Sequence, residues 1–214
     1  MRIIPSLASA NQLELLAEMQ RVAPCGCLHL DIEDGNFVPN VTFGMKTIRS
    51  VAKAATAELD AHILATRPEQ YIAELHACGV SAVSVQIEAV EYPGEVLWEI
   101  KSRGMRAGLA FNMKTDVAQA LPFLSNLDFL LFMTAEPDGQ GCLFNPAVLD
   151  KISYAREIYP NRIEFWADGG ISASQLGPLA RCGVGTVIMG REVWSAPSPA
   201  EHIAEMQRKA ANEG

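Results

Sequence analysis

The chain has 214 residues, 49% hydrophobic and 20% charged, enough for one sizeable core with little room for a second domain. Its net charge of −8, from 17 basic and 25 acidic side chains, argues against nucleic acid or an anionic membrane as the main partner. The balance leaves room for a small phosphorylated substrate, because a local nest of backbone amides can hold phosphate on an acidic protein.

No apolar run approaches the roughly 20 residues of a membrane helix. The opening "MRIIPSLASA" has a short apolar run broken by Pro5 and Ser6, which argues against a signal peptide. The cysteines are Cys25, Cys27, Cys78, Cys142 and Cys182. An odd count without framework spacing points to reduced thiols in a cytoplasmic protein. Cys25 and Cys27 are separated by one residue and no second pair follows, so a structural zinc site is not expected.

Short apolar runs alternate with longer amphipathic stretches along the whole chain. Strands are expected near residues 2–8, 27–33, 58–64, 81–87, 105–111, 127–133, 162–168 and 185–190. Helical patterns fall near 11–22, 44–55, 68–78, 94–103, 116–124, 145–158, 172–181 and 198–211. Asn11 is a candidate cap for the first helix, Thr66 and Pro68 precede the third, and Gly79, Gly104 and Gly183 are natural helix stops. Eight strand–helix units in one chain of this length fit an α/β fold of the single-domain (β/α)8 TIM-barrel type spanning 1–214. The rival, an open doubly wound sheet, usually carries a Gly-rich loop directly after its first strand. Here "ASANQ" follows instead.

A barrel gathers the C-terminal ends of its strands around one mouth. Strand 1 brings Ser6 there, strand 2 His29, Asp31 and Glu33, strand 3 His62, and strand 4 Gln86 and Glu88. Strand 5 leads to Asn112, strand 6 to Met133 and "EPDGQG", strand 7 to Asp168, Gly169 and Gly170, and strand 8 to Gly190 and Arg191. In "CLHLDIE" the residues alternate: Leu28, Leu30 and Ile32 face one way, His29, Asp31 and Glu33 the other. Two histidines and two aspartates meeting at the mouth suit one divalent metal ion such as Zn, Mn, Fe or Co. Taken singly, each has a plainer reading: a hydrogen-bonded core histidine, or an aspartate that forms a turn before Gly-Gly. Their shared position on one rim favours the joint reading.

These residues resemble the ribulose-phosphate 3-epimerase family over nearly the whole chain. "PSLASAN" resembles its P-S-x-L-S-A-D opening, and "HLDIEDGNFVPNVTFG" its H-x-D-x-M-D-G-x-F-V-P-N-x-T-x-G segment. "DAHILATRPEQYI" resembles D-x-H-L-M-x-x-x-P-x-x-Y-I, "MTAEPDGQGCLFNP" resembles M-[ST]-V-x-P-G-F-G-G-Q-x-F-x-P, and "ADGGI" matches V-D-G-G-I. Within the family the chain is most similar to a less-characterised branch. The resemblance implies a metal-dependent barrel, acting as a homo-oligomer, that inverts C3 of a ketose phosphate: ribulose 5-phosphate or a related pentulose or hexulose phosphate. It implies His29, Asp31, His62 and Asp168 as metal ligands, and Asp31 and Asp168 as the catalytic acid–base pair. It places Ser6, His62, Met133, Asp138, Gly139, Gln140, Gly141, Gly169, Gly170, Gly190 and Arg191 around the sugar phosphate. The chemistry asks for two acids, because inversion removes a proton from one face of a carbon and returns it to the other. It asks for a metal as well: a free aspartate, with a pKa of about 3.9, is too weak a base for an ordinary carbon acid.

The surroundings depart from the family pattern. Glu33 and Leu64 stand where Met is usual, Gln86 where many members carry His, and Trp166 where Glu often precedes the aspartate by two. The G-F-G-G phosphate loop becomes Asp138-Gly139-Gln140-Gly141, and Arg191 stands where Ser is typical. Arg191 either grips phosphate with two hydrogen bonds or pairs with Asp138; in a third reading both face solvent. Two rival functions follow. One is a catalytically silent sugar-phosphate-binding or regulatory relative. The other is a metal-free decarboxylase or synthase barrel, which would want a lysine at a strand end, whereas Lys46, Lys53 and Lys101 fall in helical patterns.

Overall fold

The computed structural model describes residues 1–136 and 143–213. Its eight strands are β1 (Arg2–Pro5), β2 (Cys27–Glu33), β3 (Glu58–Leu64), β4 (Val80–Gln86), β5 (Arg106–Phe111), β6 (Phe129–Met133), β7 (Glu164–Asp168) and β8 (Thr186–Met189). All neighbours are parallel, in the order β1-β8-β7-β6-β5-β4-β3-β2. A parallel bridge between Ser6 and His29 joins β1 to β2 and closes the ring. This is the (β/α)8 barrel expected from the alternation of runs. The helices are α1 (Leu15–Arg21), α2 (Met45–Ala54), α3 (Glu69–Ala77), α4 (Pro93–Ser102), α5 (Val148–Ile158), α6 (Leu176–Arg181), α7 (Arg191–Trp194) and α8 (Pro199–Glu213). None among the described residues is long and apolar enough to cross a membrane.

Local chemistry shifts several expected boundaries. β1 stops at Pro5, and Ser6 caps a 3-10 turn over Leu7–Ser9 by accepting from the Ala8 amide at 3.3 Å. Asn11 caps a turn rather than the first helix: its side chain accepts from the Leu13 amide at 3.1 Å, and α1 begins only at Leu15. Pro68 sits at the N-cap of α3, while the amide and hydroxyl of Thr66 both donate to Asp34, at 2.9 and 2.7 Å. The expected fifth helix is a 3-10 segment over Val117–Asn126, in keeping with Pro122 inside it, which has no N–H for the α pattern. Gly79, Gly104 and Gly183 follow their helices in the left-handed region, as expected of stops.

Strand parity divides the core in two. Leu28, Leu30 and Ile32 face outward and join Ile48, Val51, Ile72 and Leu75 in the strand–helix layer. Ile4, Cys27, Ala82, Ala110, Phe129, Leu131, Trp166 and Ile188 fill the barrel interior. There Phe129 stacks on Trp166 with ring centroids 4.2 Å apart. Trp166, which stands where Glu often precedes the aspartate by two, belongs to this interior plug, and its indole donates to Glu164 at 3.1 Å. Gly108 leaves the space that the Phe129 ring occupies, since a Cβ at Gly108 would lie 2.3 Å from it. The apolar plug shuts the lower barrel and leaves the mouth at the strand C-termini as its polar end.

Gly108→Ala is therefore expected to lower stability by about 1–3 kcal/mol through overpacking. Denaturant unfolding measures this, and an unchanged midpoint would contradict the assigned packing.

Candidate metal centre and reaction chamber

Register builds the site. β2 and β3 pair so that His29 lies beside Asp60 and Asp31 beside His62, and β6 and β7 pair Met133 with Asp168. Ser6, His29, Asp31 and His62 are all buried. His29 Nε2 lies 3.2 Å from Asp31 Oδ1. His62 Nδ1 lies 4.0 Å from Asp31 Oδ1 and 3.8 Å from Asp168 Oδ2. One donor atom from each of His29, Asp31, His62 and Asp168 falls within 4.8 Å of all the others, a set that could hold one metal ion. Three strands supply the four residues that sequence reasoning grouped together.

The donor set passes a chemical test for a divalent cation. Two imidazole nitrogens and two carboxylates match the preferences of such ions. His62 Nδ1 is buried, has no hydrogen-bond partner and is aimed at the two carboxylates. Burying a polar atom without a partner is costly, and a cation at the centre of the four groups would remove that cost.

Neighbours orient each group. The Ser6 hydroxyl donates to Asp31 Oδ2 at 2.6 Å, and Thr42 donates to the Asp31 carbonyl. Thr134 fixes the end of β7, its amide donating to the Asp168 carbonyl at 2.7 Å. Gly169 has φ +115, and a Cβ there would lie 2.8 Å from the Ala135 amide nitrogen, so this crossing needs glycine. His29 Nδ1 makes a close contact with Asp60 Oδ1, and Cys27 donates its thiol to Asp60 Oδ2 at 3.2 Å. Asp60 was not singled out by sequence reasoning, although its parity with His62 in "DAH" and its register with His29 carry the signal.

The charges pull apart. Burial opposes the charged form of His29, yet Asp60 and Asp31 hold its pKa well above the ordinary value. Burial would also raise Asp31, but His29, His62 and the Ser6 hydroxyl bring it down to about 2. Asp168 is pushed up, by burial first and then by the neighbouring Asp31 charge. In the polypeptide itself, one member of the pair is held ionised and the other is biased toward its proton.

Ser6, Asp31, Glu33, Leu64, Met133, Asp168, Gly169, Gly170, Gly190 and Arg191 all line one cavity of about 580 Å³ at the mouth. No lysine lines it among the described residues. The expected phosphate-loop residues Asp138, Gly139, Gln140 and Gly141 lie outside the described residues, and so does the pairing of Asp138 with Arg191. Glu33 accepts from Asn40 at 2.6 Å. Burial, then the charges of Asp31 and Asp168, raise Glu33 to about 7, against the pull of the Asn40 bond. Asn40 is thus the hydrogen-bond partner of this half-buried carboxylate.

Glu33 gives a pH test. Its carboxyl titrates near 4.5 when unperturbed and near 7 in the fold, so stability from the native proton is full below the lower value and is lost as pH rises through the upper. In metal-free protein, Glu33→Gln is expected to gain on the wild type by about 1 kcal/mol between pH 4.5 and 7.5, after allowance for solvent screening. Unfolding curves across that range check it; a constant gap would contradict the assignment.

Comparison with known proteins agrees with this geometry. The ribulose-phosphate 3 epimerase family matches residues 2–194. The ribulose-phosphate 3-epimerase of Schizosaccharomyces pombe is 34% identical over 96% of this chain and 92% of its own length. The cytoplasmic isoform of ribulose-phosphate 3-epimerase from Oryza sativa subsp. japonica is 32% identical over 97% of this chain and 93% of its own. Among solved structures, orotidine 5'-phosphate decarboxylase from Pyrococcus horikoshii superposes with a TM-score of 0.67, covering 98% of this chain and 99% of its own. At 13% identity that likeness concerns the fold alone. With a match running from β1 through α7, and relatives above 30% identity over nearly full length, the chain belongs to the ribulose-phosphate 3-epimerase family.

Proposed function

We propose that the protein is a metal-dependent epimerase that inverts C3 of a ketose phosphate, either ribulose 5-phosphate or a related pentulose or hexulose phosphate. The observation that carries this is the convergence of His29, Asp31, His62 and a half-buried Asp168 at the floor of a cavity of about 580 Å³. His29 Nε2, His62 Nδ1 and one oxygen each from Asp31 and Asp168 would hold a divalent cation such as Zn, Mn, Fe or Co. The bound cation supplies Lewis-acid stabilisation for negative charge developing on the substrate's oxygens.

The protein's own groups handle the proton. Asp31 removes it from one face of C3. Asp168, on the other side, returns one to the opposite face, and the reverse reaction exchanges their roles. Ser6 keeps Asp31 aimed by donating to its second oxygen at 2.6 Å. The apolar plug beneath, including Leu131 and Ile188, keeps bulk water away from the intermediate. Gly169, Gly170, Gly190 and Arg191 line the side of the cavity fed by the loops after β7 and β8, where barrels commonly hold phosphate. Glu33 lines the same cavity and makes the chamber more polar than a methionine would, which leaves a related pentulose or hexulose phosphate as open a substrate as ribulose 5-phosphate. The same reading places the protein in the cytoplasm, as an association of identical subunits.

The reaction is tested by incubating ketose phosphates with metal-loaded protein in deuterated water. The wild type is expected to epimerise its substrate and place deuterium at C3. Asp31→Asn is expected to lose about 10²–10⁴-fold in epimerisation. Asp168 would still exchange protons on its own face, so exchange at C3 should outlast inversion. Normal inversion by the variant would contradict the two-aspartate assignment, and a wild type without exchange on any ketose phosphate would favour a silent binding relative. Glu33→Met is expected to shift preference among these substrates by about 10-fold, corresponding to roughly one hydrogen bond; an unchanged ranking would remove Glu33 from substrate selection.

A further inference from the structure

The two histidines of the cluster have unlike partners on their far nitrogens. His29 turns Nε2 toward Asp31 and sets Nδ1 against the carboxylate of Asp60. His62 turns Nδ1 toward Asp31 and Asp168, and its Nε2 lies 3.1 Å from the amide of Gln86. Gln86 is fully buried at the end of β4. Two atoms of this pair, His62 Nδ1 and Gln86 Oε1, are buried without a hydrogen-bond partner.

These two orphans are linked. With the amide nitrogen of Gln86 against Nε2, that ring nitrogen must accept, so the ring proton sits on Nδ1. Nδ1 is then a buried N–H, and it has no lone pair for a cation. The two ends of a carboxamide have nearly the same shape, so the same pocket accepts the reversed amide. Reversal sets Oε1 against Nε2–H and frees the Nδ1 lone pair for a cation, while the amide NH2 takes the place that Oε1 held. We propose that Gln86 is a positioning residue whose carboxamide oxygen selects the Nε2–H tautomer of His62 and thereby makes Nδ1 a metal ligand. The chain would then pair one histidine ligand with a carboxylate and the other with a neutral amide, keeping one negative charge fewer beneath the site.

This inference rests on the metal-centre reading above, and the experiment separates the two. Zn²⁺ is titrated calorimetrically into metal-free wild type, Gln86→Leu and Gln86→Glu, and ring ¹⁵N shifts of the histidines are recorded with and without Zn²⁺. Leucine keeps the bulk of Gln86 and removes the acceptor, so Gln86→Leu should bind Zn²⁺ about 10–100-fold more weakly. Glutamate keeps an acceptor, so Gln86→Glu should bind at least as tightly as wild type, which lost packing alone would not predict. In Zn²⁺-loaded wild type, His62 should show a protonated Nε2 and a metal-shifted Nδ1. Wild-type affinity in Gln86→Leu, or a loaded His62 ring protonated at Nδ1, would overturn the role of Gln86 while leaving the metal centre standing. A wild type that binds no Zn²⁺ would overturn both.

Discussion

The structure turns on the burial of His29, Asp31 and His62 beside a half-buried Asp168 at the top of a closed barrel. Polar groups taken out of water are costly unless they are paired, and carboxylates placed side by side repel. The chain answers part of that cost with Ser6 on Asp31 and Asp60 on His29. It leaves His62 Nδ1 unanswered and directed at two acids. A divalent cation at that point would neutralise both aspartates, satisfy the orphan nitrogen and give the carboxylates a reason to be there. The rest of the molecule is arranged to permit this: eight parallel strands bring the four side chains to one end, and Phe129, Leu131, Trp166 and Ile188 close the other.

Around the four, the support differs by strand. β2 carries the largest share, since His29, Asp31 and Glu33 share its inward face while Leu28, Leu30 and Ile32 hold it against the helices. β3 contributes both a ligand candidate, His62, and the acid beneath the other histidine, Asp60. β4 contributes Gln86, which contacts the far nitrogen of His62. Family membership places the chain among the carbohydrate epimerases, while Glu33 and its partner Asn40 mark where this chamber takes its own form.

Much of this was legible in the sequence because parity in a barrel is strict. Alternation in "CLHLDIE" is uninformative for a surface strand, but within a repeating strand–helix pattern it has one sensible reading, and the inward placement of His29 and Asp31 follows. The same rule applied to "DAH" would have found Asp60. Features that depend on chain return were not legible. Ser6 grips Asp31 from a different strand, and Asn40 reaches Glu33 only because the loop after β2 folds back. Trp166 has the inward parity of Asp168, yet it sits a layer lower, where Phe129 and the gap at Gly108 define the plug. Local competition moved the helix boundaries: Asn11 satisfied a nearer turn, and Pro122 disfavoured an α-helix.

The central claim, one cation shared by four side chains from β2, β3 and β7, is tested most directly by anomalous diffraction from crystals grown with Mn²⁺ or Zn²⁺. The account predicts a single strong peak per chain within bonding distance of His29 Nε2, His62 Nδ1, Asp31 and Asp168. A metal-saturated crystal with no peak among these four groups, or with the peak elsewhere, would contradict it.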